Sequence, residues 1–499
     1  MHLVLCYDIL TNEENNTTTP IVLQYTIALQ ERMIALSTPH IHDFKNKQIH
    51  MIGIGGSSMS GLAEMLKQKG YFITGSDNLE TYTTKHLREV GIPVTIGHNA
   101  KNVENADLVI YTIAISADNP ERVAVTNLNI PNMERATLLG QLMEGFETAV
   151  GISGAHGKTT TSSMLSQIMM ETGMNPSIHI GGSLDAIGGS THIGTENTFI
   201  TEACEFNASF LQLNPTIAVI LNIDADHLDF FRDIEHIQDT FGEFLKRLPA
   251  DGIAIGNGED SRVQTLFSKL SQKSYNFGLK PENDYYPKNL SYDELGNASF
   301  ALYFQKQHLG NVKLQVGGEF QVYNALAALA TAHRLGADMQ KACEVLANFV
   351  GAHRRFELTG VIDGVKLYHD YGHNPAEMQN ILSVAKKHPH NRLWAVMQPH
   401  TFSRVKRLFN DYLTCTKDAD ITLVTDIYAA REKDPGDIFA TQIVEGMKEN
   451  GINAIHTPTF NDTEAYLRAN WQEGDLVLTM GCGNINQLNE QMWEKEINK

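Results

Sequence analysis

The sequence predicts an α/β protein of three domains in series, N-terminal Rossmann-like, central P-loop and C-terminal Rossmann-like, and three observations carry that expectation. An apolar strand, a turn rich in glycine or acids, and a helix recur in that order from His50, from Ala149 and from Val365. Further short apolar strands separated by polar helical stretches follow each recurrence, the pattern of doubly wound parallel sheets. The chain has 499 residues, room for roughly three domains at about 150 residues each.

Residues 1–46 carry a polar run from Thr11 to Pro20 and no motif. They are expected to be a disordered arm or the product of a start codon placed too early, Met33 lying just upstream of the first strand. Residues 47–147 form the first domain. Its strand runs into His50-Met-Ile-Gly-Ile-Gly-Gly, and Met59, Leu62, Ala63 and Leu66 follow at helical spacing, with strands at Tyr71–Thr74, Val94–Ile96 and Leu108–Ile113. Residues 148–350 form the second, with strands from Ala149, at Thr198–Glu202 and at Ile217–Asn222, an alternating region Tyr275–Val316 and an Ala-rich helix Tyr323–Leu335. Residues 351–499 form the third, with strands at Val365–His369, Leu393–Met397, Ile421–Thr425 and Leu476–Thr479.

A net charge of −19 argues against a general electrostatic grip on nucleic acid or an anionic membrane, so phosphate ligands need local devices. The five cysteines show no CxxC pair, which fits a reducing compartment, and no apolar stretch is long enough to span a bilayer. A cytoplasmic protein is expected.

Gly151-Ile-Ser-Gly154-Ala155-His156-Gly157-Lys158-Thr159-Thr160-Thr161 lies between a strand and a helix, where backbone N–H groups and the helix N-terminus cradle phosphates. Lys158 would meet the terminal phosphates and Thr159 the Mg²⁺, although the glycine spacing departs from the standard P-loop. Two acidic clusters, Glu202 to Glu205 and Asn222-Ile-Asp224-Ala-Asp226-His227-Leu-Asp229, each follow a strand, where doubly wound sheets put their ligands. Alone each reads as helix caps; beside Lys158 they suit Mg²⁺, which takes oxygen ligands and substrate phosphates. Gly53, Gly55, Gly56 and Ser57, with Asp77 at the end of the next strand, resemble a dinucleotide fingerprint but carry Ser58 in place of the third glycine. A tight turn and a nucleotide-diphosphate site are both open here. In the third domain, Arg354-Arg355, Asp370, His373-Asn374-Pro375 and His400 to Arg404 offer guanidinium groups suited to carboxylate or phosphate.

The order of these motifs, GIGGSSMSGLAEML, GAHGKTTT, NIDADHLD, RRFE, HDYGHNP and QPHTFSR, resembles the Mur ligase family over about residues 47–485. The resemblance implies a UDP-binding first domain, a central ATPase and a closing third domain. It also implies ATP-dependent joining of L-alanine to the lactyl carboxylate of UDP-N-acetylmuramate, through an acyl phosphate, for peptidoglycan synthesis. On matching positions, Gly154, Ala155, His156, Gly157, Lys158, Thr159 and Thr160 bind ATP phosphate, with Asn324 at the adenine side and Arg355 and Asp370 as interdomain ATP contacts. Gly53, Gly55, Gly56, Ser57 and Asp77 bind the UDP-sugar. Thr159, Glu205 and His227 hold Mg²⁺, with Glu202 as a substitute for Glu205, and His373 and Arg404 fall near the amino-acid pocket. Five positions depart from the family pattern: Ala155, Gln321, Asn374, Asn207 and Thr401. The last two are expected to bear on Mg²⁺ and on the alanine carboxylate. Alternatives are a murein tripeptide-recycling ligase, a nicotinamide-dependent oxidoreductase built on the Gly53 loop, and a non-catalytic Mur-like binding subunit.

Overall fold

The computed structural model describes residues 38–497 apart from Glu196, Asp226, Leu228, Asp229 and Arg431. The expected arm lies outside them up to residue 37. Its last part is not an arm: Ile41–Phe44 is a 3-10 turn with Ile41 and Phe44 buried. Those two apolar side chains, three apart on the turn, belong to the core that includes helix Arg135–Met143, and the Gln141 side chain ties the turn down by accepting from the Ile41 N–H (2.9 Å).

The first sheet is β1 (Gln48–Ile52), β2 (Phe72–Asp77), β3 (Val94–Ile96), β4 (Leu108–Tyr111) and β5 (Asn132–Glu134), ordered β3-β2-β1-β4-β5 and parallel throughout. Sequence reading missed β5, three residues long and without an apolar run. The strand order reverses beside β1, so the glycine loop after β1 opens at the switch point.

The second sheet has ten strands. These are β6 (Thr148–Ser153), β7 (Ser177–Leu184), β8 (Gly189–His192), β9 (Thr198–Glu202), β10 (Ile217–Ile220), β11 (Ile253–Asn257), β12 (Lys273–Phe277), β13 (Tyr285–Tyr292), β14 (Asn297–Phe304) and β15 (Gln307–Gly317). They are ordered β15-β14-β13-β12-β11-β10-β6-β9-β7-β8. A parallel centre is flanked by antiparallel β8 at one edge and the meander β13–β15 at the other. Burial alternates along β14 and β15, as in a sheet solvated on one face, which is why Tyr275–Val316 read as alternating. Helix Lys158–Glu171 has every residue from Thr159 to Met169 buried, because the sheet covers one side and helix Glu319–Arg334 the other. Alanines on the second helix let the two backbones approach.

The third sheet is β16 (Glu357–Ile362), β17 (Val365–Asp370), β18 (Leu393–Met397), β19 (Ile421–Val424), β20 (Ala454–His456) and β21 (Leu476–Met480), ordered β16-β17-β21-β18-β19-β20. Only β16 runs antiparallel to its neighbour. Among the described residues no helix is long and apolar enough to cross a membrane.

Candidate active site

The loop after β6 turns on two glycines in the left-handed region, Gly154 (φ 149°) and Gly157 (φ 85°). A side chain at Gly157 would stand 2.4 Å from the Asn324 Oδ1, so the loop needs glycine for space as well as for φ. Asn222, directly after β10, clamps the loop: its Oδ1 accepts from the His156 N–H (2.9 Å) and its Nδ2 donates to the His156 carbonyl (3.1 Å). This clamp acts on the backbone of His156 and uses no side chain at position 155.

Lys158 Nζ lies 2.9 Å from a Glu205 oxygen, and the other Glu205 oxygen is 3.6 Å from His227 Nε2. Glu205 is 2% exposed. Glu202, ranked behind Glu205 in the sequence reading, lies on the same side: it accepts from Thr159 Oγ1 (3.2 Å), from Ser162 Oγ (3.3 Å) and from the Gly181 N–H (2.7 Å). Thr159, Lys158, Glu202, Glu205 and His227 therefore converge at one helix N-terminus. Asp226 and Asp229 of the same motif lie outside the described residues.

Beside the loop opens a cavity of about 970 Å³ lined by His156, Gly157, Thr160, Asn324, Arg355 and Asp370. Asn324 is held by Gln321, which accepts from its Nδ2 (3.0 Å), so that departure supports the asparagine. Asp370 accepts from the Gly372 N–H (2.7 Å) and the Phe356 N–H (2.9 Å), and burial pushes its carboxyl above the usual range. Arg355 reaches across the domain boundary to within 3.5 Å of Thr159 Oγ1.

His373 donates its N–H to Glu377 (3.0 Å), and its ring lies 6.0 Å from that of His400. Arg404 Nη1 is 3.1 Å from His400 Nδ1. Asn374 caps helix Pro375–Ala385, accepting from the Glu377 N–H (2.9 Å) while the Glu377 side chain reaches back. Asparagine suits this cap, which accounts for the departure there. Asn207 has φ 54°, a left-handed conformation that asparagine tolerates, and Thr401 (φ 61°) is buried just before helix Phe402–Arg407.

Sequence reasoning missed Glu377. It bridges the P-loop and the third domain, its Oε1 lying 3.2 Å from His156 Nδ1 while its Oε2 takes the His373 N–H. His373 and His156 hold its carboxyl well below the usual range against the cost of burial. Asn-Pro-Ala-Glu is a legible capping box, but its second role needs the fold.

In the first domain Gly53 has φ 76°, Gly56 precedes helix Ser57–Gln68, and the Gly55 N–H donates to Asp77 Oδ2 (2.9 Å). Asp77 thus braces the loop. Ser58, one residue past the predicted set, bonds His179 Nε2 in the second domain (2.8 Å).

Three domain signatures match in chain order: the Mur ligase family catalytic domain over 48–147, the Mur ligase middle domain over 152–332, and the Mur ligase glutamate ligase domain over 354–483. A UDP-N-acetylmuramate–L-alanine ligase of Caldanaerobacter subterraneus subsp. tengcongensis is 43% identical over 451 residues, 90% of this chain and 98% of that protein. One of Acetivibrio thermocellus is 42% identical over 447 residues, 89% of this chain and 95% of that protein. The crystal structure of a UDP-N-acetylmuramate-alanine ligase of Thermotoga maritima superposes with TM-score 0.78 at 25% identity, covering 91% of this chain and 99% of that one. A murein peptide ligase of Psychrobacter arcticus shares the fold at TM-score 0.71 and 22% identity, covering 90% and 98%. With three signatures in order and such relatives matched almost end to end, this chain belongs to the Mur ligase family.

Proposed function

We propose that the chain joins L-alanine to the lactyl carboxylate of UDP-N-acetylmuramate at the expense of ATP, in the cytoplasm, as a step of peptidoglycan precursor synthesis. The observation that carries the chemistry is the convergence of Lys158, Thr159, Glu202, Glu205 and His227 beside a cavity that the third domain closes with Arg355 and Asp370. The choice of L-alanine rests on the named relatives.

A carboxylate is a poor electrophile until one of its oxygens becomes a leaving group. Phosphoryl transfer from ATP accomplishes this, and the protein's part is alignment and charge neutralisation. The Gly154–Thr160 loop and the helix behind it hold the phosphates. Lys158, paired with Glu205 here, is long enough to turn its ammonium onto the transferring group. Asn324, Gln321 and Tyr323 border the part of the cavity left for the base. Attack by the alanine amine on the acyl phosphate requires that water be excluded, and docking of the third domain on the P-loop supplies that. By their matching positions in the family motifs, Arg404 and His373 would receive the amino acid.

The donor types suit Mg²⁺: the Glu202 and Glu205 carboxylates and the Thr159 hydroxyl are oxygen ligands of the kind a hard cation takes together with substrate phosphates. Thr159, Glu205 and His227 would hold it, with Glu202 orienting Thr159, and the ion would neutralise phosphate charge.

The test is ADP release by the purified chain with Mg²⁺-ATP and UDP-N-acetylmuramate, supplied either with L-alanine or with L-Ala-γ-D-Glu-meso-diaminopimelate. A product heavier by one alanine residue is expected. Turnover with the tripeptide alone would make the protein a recycling ligase.

A further inference from the structure

Arg135 is the first residue of helix Arg135–Met143, directly after β5. That helix is wedged against the second domain: a side chain at Gly140 would stand 1.9 Å from the Gln212 carbonyl oxygen. The position of Arg135 is therefore fixed by packing. Arg135 is partly buried, and the desolvation of its guanidinium lowers its pKa. A guanidinium has five N–H donors, and among the described residues its side chain makes one hydrogen bond, from Nη1 to Ser58 Oγ (2.9 Å).

Arg392 and Arg468 have counter-charges in Asp475 (2.7 Å) and Glu464 (2.8 Å), and Arg354, which has none among the described residues, spends its donors on His369 and on the carbonyls of Gly481 and Gly483. Among the described residues no carboxylate comes within ion-pair distance of Arg135; that of the neighbouring Glu134 acts on it only from further off. The imidazole beyond Ser58 supplies none: His179 is buried, its pKa held down to about 3, and it bonds Ser58 Oγ and Thr191 Oγ1 (3.1 Å) as a neutral ring. A partly desolvated cation with no ion-pair partner is costly, and an anionic ligand offsets that cost.

The location indicates which anion. Ser58 belongs to the glycine loop, where backbone N–H groups and the helix N-terminus serve a diphosphate. In the other direction Ser58 Oγ also bonds His179 on β7, and two residues further along that strand the Gly181 N–H donates to Glu202, which holds Thr159 at the head of the P-loop helix. The guanidinium thus lies between the nucleotide-sugar loop and the phosphoryl-transfer centre, where an acid must present its carboxylate. A planar fork matches a carboxylate in two-point contact.

We propose that Arg135 binds the carboxylate of the nucleotide-sugar acid and holds it between the glycine loop and Lys158. The inference rests on the proposed reaction for the identity of the acid. It explains a charge that packing alone would not select.

The test is calorimetric binding of UDP-N-acetylmuramate and of UDP-N-acetylglucosamine, which lacks the lactyl carboxylate, to the full chain and to Arg135→Ala. The first ligand should weaken roughly ten- to a hundredfold, the range of a lost charge-assisted contact, and the second should be unchanged. Arg135→Lys keeps charge and most of the packing but loses the fork. It should show the same contrast at smaller size, and it serves if the alanine variant does not fold. Equal weakening of both ligands would assign Arg135 to the diphosphate or to packing and overturn the proposal, as would no weakening of either. Wild-type turnover is measured in parallel: binding that depends on Arg135 without any alanine adduct would sink the proposed reaction and leave the carboxylate site standing.

Discussion

The two seams between domains are built from opposite materials. Across the first, one apolar core runs without interruption from Ile41, Leu62 and Leu139 in the first domain to Phe199, Phe210 and Phe244 in the second. The third domain has cores of its own, and its seam with the second is polar: Glu377 to His156, Arg355 to Thr159, His353 to Asp185 (2.9 Å), around the 970 Å³ cavity. An apolar seam is close-packed and opens only at a cost proportional to the area exposed. Polar contacts exchange with water at little net cost. The difference teaches that the first two domains form one stiff unit, while the third is mounted to close and open over the cavity.

The strongest way to separate the seams is at the P-loop itself. Lys158→Ala should lower product formation by about 10³-fold or more, the scale for removing a cation that stabilises phosphoryl transfer. Substantial ADP release from that variant would disprove the P-loop assignment. Gly140→Ala attacks the apolar seam. A methyl group forced onto the Gln212 carbonyl should cost about 1–3 kcal/mol, read as a lower midpoint in urea. An unchanged midpoint would mean that this seam is not stiff.

Glu377→Gln keeps the shape of the interdomain bridge but removes its charge. Turnover should fall roughly tenfold, the loss of one charge-assisted hydrogen bond, and stability at neutral pH should fall with it, because the depressed carboxyl pKa marks a charge that favours the folded state. A variant as active as the parent would show that the bridge is incidental. The smallest effect concerns His353, whose pKa is raised by Asp185 across the seam and by Glu357 beside it. A raised folded value means that this contact contributes fully below the ordinary histidine pKa, about 6.5, and fades as pH rises through the folded value. Scattering profiles should therefore report a slightly more open molecule at pH 8 than at pH 6, and His353→Gln should remove the dependence. A wild-type profile independent of pH would count against it.

The asymmetry of the seams was invisible in the sequence, although much of each domain was legible. Strands such as Val94–Ile96, Thr198–Glu202 and Leu393–Met397 are apolar runs bounded by turn residues and came out with correct ends. Short or edge strands, β5, β8, β16 and β20, did not, because pairing holds them and their side chains carry little pattern, and the inner strands β7 and β11 were missed as well. Ile41 and Phe44 were assigned to an arm because two apolar residues in a polar setting have no periodicity until a neighbouring helix covers them.

By itself the sequence determined the three α/β units, the P-loop with Lys158 and Thr159, and the acidic turns after β9 and β10. All of these are local: glycine conformations, helix starts and apolar runs follow from residues adjacent in the chain. Only the tertiary structure decided that Glu202 takes Thr159 while Glu205 takes Lys158, that Glu377 reaches His156, 221 positions away, and that Arg135 lies against Ser58. Burial and charge pairing between distant segments depend on how sheets and helices stack, and no spacing along the chain encodes them.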